Sequence, residues 1–347
     1  MTDFYKEKKV LVTGHTGFKG TWLSKILVNI GAEVLGYSRC SEKEPSLFEL
    51  SGIEKHIIHV KGDVCDYRHL LETFRSFQPD IVFHLAAQPI VRESYFDPRG
   101  TYETNVMGTV NVLESVRNTA SVKSVVIITT DKVYRNNEWV WGYRENEALD
   151  GFDPYSNSKS CAELVTGSYR RSFPALPPIS TARAGNVIGG GDFAKNRIVP
   201  DCIRAIAKKE PIVVRNPSSI RPYQHVLEPL FAYLMIAQRQ YEDSDIAGTY
   251  NIGPEECDCV TTGELVNLFC DCWGENAGWK TEKEKDAPHE ADYLKLDCTL
   301  MKSVLNWQPK WHIDETMERT VQFYKCWLNG ENVPNEMDEE IQEYLNA

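Results

Sequence analysis

The sequence predicts an α/β fold, a doubly wound parallel sheet followed by a smaller C-terminal domain. Three observations predict it. Short apolar, β-branched runs alternate with helical stretches from residue 10 to residue 184. The first run, Val10-Leu11-Val12, feeds a turn with glycines spaced three apart, Gly14, Gly17 and Gly20. After about residue 186 the alternation weakens, which marks a change of architecture. The expected domains are 1–185, with a later segment at roughly 223–252 returning to it, and 186–347.

Val10–Val12 reads as a buried strand, and a helix from about Thr21 to Asn29 follows, stopped by Gly31. Glycines between a strand and a helix let backbone N–H groups approach a pyrophosphate at the positive helix end. Thr16, Phe18 and Lys19 share this dinucleotide-binding turn. The second strand, Glu33–Tyr37, ends in Ser38-Arg39, where an acidic residue would bind the adenosine ribose of NAD. Ser38 and Arg39 suit a 2′-phosphate, so NADP is open; Arg39 could equally stack on adenine or lie on the surface. A third strand, Ile57–Val60, ends near Asp63-Val64. There the aspartate can accept from an adenine amino group or simply close a turn. Helix Tyr67–Phe77 leads to a fourth strand and its exit loop, Pro79–Gln88, whose small Ala86 and Ala87 let a cofactor lie against backbone. Asp97–Asn118 is helical over most of its length, with Asn105 inside it.

Val125–Ile128 is a buried strand, so Thr130, Asp131 and Lys132 fall at its carboxyl end, where open α/β sheets bind ligands. Asp153 and Pro154 then start a helix as N-cap and first helical residue. Tyr155 and Lys159 lie four apart on one face of it. A lysine ammonium beside a phenol lowers the phenol's pKa from about 10, giving a base usable near neutral pH. Thr130 can orient the same substrate hydroxyl. The plain alternative is a tyrosine and a lysine on a solvated face. This helix runs to about Arg171, strand Ile179–Ala184 follows, and Gly189-Gly190-Gly191 reads as a ligand-facing loop or hinge. Arg215 and Arg221 favour a diphosphate or base pocket. A last amphipathic helix spans Asp314–Trp327; the tail from Asn329 is acidic and weakly patterned.

The 347 residues carry a net charge of −12, which argues against a general nucleic-acid binder. There is no apolar run of about 20 residues, so no membrane span. The charged N-terminus does not read as a secretory signal. Ten cysteines are scattered, the closest pairs being Cys257/Cys259 and Cys270/Cys272. Their C-x-C spacing is a poor zinc pattern, so no metal is expected, and free thiols in a cytoplasmic protein are.

Several stretches together carry a resemblance that covers nearly the whole chain. They are Thr13–Gly20 (TGHTGFKG), Ala86–Val91 (AAQPIV), Asn105–Thr109 (NVMGT), Asp131-Lys132, Glu138–Glu147 (EWVWGYRENE), Tyr155–Lys159 (YSNSK), Arg183–Asp192 (RAGNVIGGGD), Arg215–Pro229 (RNPSSIRPYQHVLEP) and His289–Asp297 (HEADYLKLD). The chain resembles the extended short-chain dehydrogenases/reductases that act on nucleotide sugars, and within them the CDP-glucose 4,6-dehydratases.

The resemblance implies a Rossmann-type NAD(P)-binding domain and a smaller domain for the nucleotide sugar. It implies NAD, recycled in place, with CDP-glucose as substrate. Tyr155 would take the 4-hydroxyl proton as hydride leaves C4, with Lys159 lowering its pKa and holding the nicotinamide ribose. Water would then leave across C5 and C6, and hydride would return to C6. Asp131 would protonate the leaving hydroxyl; Lys132 would help remove the C5 proton or stabilise the enolate. Gln88 and Asn105 would belong to the cofactor site. Gln88, Asn186, Arg197, Arg215, Arg221 and His225 would line the sugar-nucleotide site. The family also implies homodimers or dimers of dimers through helices at about 98–118 and 154–171, and deoxysugar synthesis for cell-surface glycans. A 4-epimerase would share Tyr155 and Lys159 but needs no elimination pair. A reductase would release its cofactor. A non-catalytic protein on this fold is expected to lack Tyr155, Lys159 or Thr130.

Overall fold

The computed structural model describes residues 2–39, 45–274, 277–282 and 293–347. Its centre is a seven-stranded parallel sheet. The strands are β1 (Lys9–Thr13), β2 (Glu33–Ser38), β3 (Ile58–Lys61), β4 (Ile81–His84), β5 (Ser124–Thr130), β6 (Ile179–Ala184) and an edge strand, Thr249–Ile252. From that edge strand the order runs β6, β5, β4, β1, β2, β3, so the winding reverses between β1 and β4. That reversal opens a crevice at the carboxyl ends of β1 and β4.

Side chains alternate across the sheet, and both faces are covered, as a parallel sheet requires. Val10, Val12, Ile81, Phe83 and Val126 face one cluster; Leu11, Val82, Val125 and Ile127 face the other. Helices Tyr67–Phe77 and Gly108–Arg117 close the second face with Leu70, Phe74, Val112, Leu113 and Val116. Helix Leu227–Glu242 closes the first. Eleven of its sixteen residues are buried, so it shows little amphipathic periodicity, and sequence reasoning passed over it.

A third cluster, built on Val199, Ile203, Leu265, Phe269, Met317 and Val321, forms the core beyond the sheet. Two small strand pairs frame it. Ile220–Pro222 runs antiparallel to Cys259–Thr261, and Ile212–Val214 runs parallel to Trp279–Thr281. The tail differs from expectation. Val333–Asn346 is a helix, capped by Asn332 and carrying Pro334 in its first turn. Its buried Val333, Met337, Ile341 and Tyr344 recur every three or four residues, a helical signal masked by the acidic residues between them.

Candidate active site

β1 leaves the sheet into the glycine turn, and Gly14 and Gly20 each have a steric reason. Gly14 has φ +75°, and a Cβ there would sit 2.7 Å from the Ala86 nitrogen. A Cβ on Gly20 would sit 2.1 Å from the Gly14 carbonyl oxygen. No side chain caps helix Phe18–Asn29 at Gly17, so its first N–H groups stay available for an anion. The turn opens on a cavity of about 1170 Å³ that runs along the carboxyl edge of the sheet. Gly14, Thr16, Gly17, Phe18, Lys19, Gly20, Ser38, Arg39, Asp63, Val64, Ala86 and Ala87 line one end. A narrow backbone cradle, a free helix N-terminus and a long cavity fit a dinucleotide.

At the far end of β5, Thr130, Asp131, Lys132 and Tyr155 meet in the same cavity wall, with Asn186, Arg197, Arg215 and Arg221 beyond them. The register of β5 on β6 pairs Thr130 with Ala184, which brings Gly185 against Asp131. A Cβ on Gly185 would lie 3.2 Å from Asp131 Oδ2. The Thr130 hydroxyl donates to Asp131 Oδ1 at 2.9 Å, with Tyr155 in the same cavity wall. Asp131 is buried, and among the described residues its Oδ2 has no hydrogen-bond partner. Burial raises its pKa above the ordinary carboxyl value, against the charge of Lys132, the Thr130 hydrogen bond and Arg221. The site therefore holds an acid biased towards its protonated form.

Lys159 lies behind Tyr155 rather than in the cavity wall. Its ammonium donates to the Ile128 carbonyl oxygen at 3.0 Å. Sequence reasoning had it lowering the Tyr155 pKa; in the unliganded protein burial dominates and the net shift is upward. Burial pushes the phenol up to about 12, while Thr130 and Arg197 pull it down and Asp131 adds to the rise. Burial also brings Lys159 down to about 8, with Glu163 opposing.

Three other expected site residues stand elsewhere. His225 is fully buried away from the cavity, its Nε2 2.7 Å from Glu340 Oε1 and its ring against Trp311. It secures the C-terminal helix instead of a substrate. Gln88 uses its amide on Ile90 and Thr101, and Asn105 bonds the Gln88 backbone and Ser158. Both brace the wall from behind. Of the stretch His289–Asp297, residues 289–292 lie outside the described residues.

Two contributions escaped sequence reasoning. Lys19 extends past the glycine turn towards the catalytic end, its ammonium 3.4 Å from the Tyr233 hydroxyl. Burial, Lys159 and Arg197 bring it down to about 7, with Asp131 opposing. Asp192 holds Arg197 at 2.7 Å, and the glycine run before it was the available signal. Among the described residues one set of metal-type ligands clusters, Cys257, Asp258 and His312, but Asp258 already bonds His312 and the backbone of Ile313 there. Nine cysteines among those residues are free thiols.

The family model for GDP-mannose 4,6 dehydratase matches residues 11–320. A CDP-glucose 4,6-dehydratase of Salmonella typhimurium is 48% identical over 99% of this chain and 98% of its own length. The chain belongs to this dehydratase family, within the extended short-chain dehydrogenases/reductases. A dTDP-glucose 4,6-dehydratase of Escherichia coli is 27% identical over 91% of this chain and 92% of its own. Among solved structures, a Bacillus anthracis dTDP-glucose 4,6-dehydratase in complex with NAD superposes with TM-score 0.79 at 21% identity, covering 92% of this chain and 96% of its own. A Thermotoga maritima UDP-glucose 4-epimerase reaches 0.81 at 22%, covering 92% and 99%. At such identities these two establish the Rossmann-type fold and nothing finer.

Proposed function

We propose that the chain is a CDP-glucose 4,6-dehydratase, converting CDP-D-glucose to CDP-4-dehydro-6-deoxy-D-glucose and water. The observation that carries this reading is the Asp131 carboxyl, buried and biased towards its acid form, hydrogen-bonded to Thr130 in the cavity wall that also holds Tyr155. A 4-epimerase oxidises the same carbon but has no leaving hydroxyl to protonate. The 48% identical relative, whose name states the CDP sugar, supports the base.

The glycine cradle would hold the pyrophosphate of NAD, Asp63 and Val64 the adenine and Ser38 the adenosine ribose, while the Lys159 charge, behind Tyr155, would favour the phenolate. Arg39 lies 3.8 Å from Asp63, a carboxylate that disfavours a 2′-phosphate, so NAD suits the site better than NADP. When bound, NAD supplies a hydride acceptor for C4 and a hydride donor for C6.

The protein's own part is proton traffic. Tyr155, as the phenolate, removes the 4-hydroxyl proton, and the ketone formed acidifies C5–H. Lys132, as the neutral amine, takes the C5 proton, and Asp131 gives its proton to the C6 hydroxyl, which departs as water. Lys132 returns its proton to C5 once C6 is reduced. Tyr155 then holds one proton too many and Asp131 one too few; Thr130, whose hydroxyl donates to Asp131, would carry it across. Arg197, Arg215 and Arg221 would face the diphosphate, a match to phosphate oxygens that arginine makes well.

Exposed apolar side chains at Met107 and Leu164 support a homodimer through the helices that carry them. The free thiols support a reducing, cytoplasmic location. No helix among the described residues is long and apolar enough to cross a membrane. The test is incubation with CDP-, dTDP-, GDP- and UDP-glucose and NAD, followed by mass spectrometry. Loss of one water from CDP-glucose is expected. A new stereoisomer of unchanged mass would mean an epimerase.

A further inference from the structure

Helix Pro154–Ser172 sends two buried side chains, one turn apart, onto adjacent residues of β5. Lys159 bonds the Ile128 carbonyl, and Glu163 Oε1 accepts the Thr129 hydroxyl at 2.5 Å. Glu163 Oε2 accepts the Thr181 hydroxyl at 2.7 Å. Arg183 of β6 completes the set, donating Nε to Oε1 at 2.9 Å and Nη2 to Oε2 at 3.0 Å. The two side chains of this ion pair are 3% and 2% exposed, so water does not screen them. Two hydroxyls and a bidentate guanidinium all donate to it, the surroundings of a carboxylate anion.

The groups facing Lys159 from elsewhere do not supply a comparable anion. Lys19, from the glycine turn, brings a second ammonium within electrostatic range. His84, on β4, is pushed down to about 3 by burial and by Lys159 itself, so its ring is neutral. In the unliganded protein burial favours the uncharged phenol of Tyr155. Arg183 stands behind Glu163, its charge partly cancelling the carboxylate's.

We propose that the Glu163–Arg183 pair positions and tunes Lys159. The carboxylate keeps the ammonium charged on the β5 backbone, and the guanidinium sets how strongly. Lys159 itself sits at about 8, held there by Glu163 against burial. The inference rests on the role given to Lys159 above, but it concerns a property of the unliganded protein and can be measured there.

The experiment is an NMR titration of protein labelled with ¹³Cε-lysine, with Lys159→Met identifying the signal. Glu163→Gln removes the anion, so the Lys159 pKa is expected to fall by on the order of one pH unit. Arg183→Met leaves the carboxylate unopposed, so it is expected to rise. The alkaline limb of CDP-glucose turnover is expected to move the same way in each variant. A merely structural pair would lower activity in both without moving the titration in opposite directions. Unmoved titrations, or shifts of the same sign, overturn the proposal. If either single variant does not fold, the double variant, which buries no lone charge, replaces it. Its Lys159 is expected below wild type, and an unchanged value overturns the proposal. Opposite shifts in a protein that leaves CDP-glucose untouched would uphold the pair and refute the dehydratase reading.

Discussion

The Thr130 hydroxyl donates to Asp131 at 2.9 Å and shares a cavity wall with Tyr155, so one side chain neighbours both the base of the oxidation and the acid of the elimination. That arrangement distinguishes this site from one that only moves hydride at C4. It also makes Thr130 replaceable by serine, which keeps the hydroxyl, but not by valine. Thr130→Ser is expected to retain turnover within about tenfold, and Thr130→Val to lose about 100-fold or more, read as water loss from CDP-glucose.

Asp131 and Lys132 have separable roles. Asp131→Asn is expected to lower water loss by about 100- to 10,000-fold while C4 oxidation persists, because only leaving-group protonation is removed. In deuterated water this variant should still exchange the C5 proton. Lys132→Met should lose the exchange together with the elimination. Exchange that survives in Lys132→Met would assign the C5 proton to another residue.

The glycine cradle admits no side chain at its closest approach. Gly20→Ala would place a methyl 2.1 Å from the Gly14 carbonyl oxygen, backbone that has no flexible end to give way. A stability loss on the order of 3 kcal/mol and failure to retain NAD are expected, measured by urea unfolding and equilibrium dialysis.

Two buried histidines set the acid limit of stability. His15 and His84 are both pushed down to about 3, mainly by burial, with His59 and Lys159 respectively adding to it. Their folded pKa values lie below the unfolded value of about 6.5. Their contribution is therefore complete above pH 6.5 and is lost as pH falls towards 3, because the unfolded chain takes up protons that the folded one refuses. Each should cost about 2 kcal/mol at pH 5. Urea unfolding at pH 7 and pH 5 is expected to show this drop, smaller by about 2 kcal/mol in His84→Asn.

β-branched runs are distinctive, and the six strands from β1 to β6 were legible from them, as was the turn that Gly14 and Gly20 require. Four-residue spacing on one helix made Tyr155 and Lys159 legible as a pair, and a shared strand end made Thr130, Asp131 and Lys132 legible as a group. Contacts between distant segments were not. His225 lies in a polar, arginine-rich stretch that looks ligand-facing, yet the partner that claims it, Glu340, comes from a helix hidden by its acidic residues. The Tyr155 pKa was misjudged because sequence spacing conveys the charge of Lys159 but not the burial that outweighs it. Lys19 was assigned to the cofactor alone because nothing local reveals that its side chain reaches Tyr233.

The central claim is that oxidation at C4, elimination across C5 and C6, and reduction at C6 occur in one cavity on one bound sugar. It is tested most directly with CDP-glucose carrying deuterium at C4. The expected product is CDP-4-dehydro-6-deoxyglucose with that deuterium in its C6 methyl group and none exchanged with added NAD. Deuterium retained at C4 of a sugar that has kept its water, or lost to free cofactor, would contradict the account.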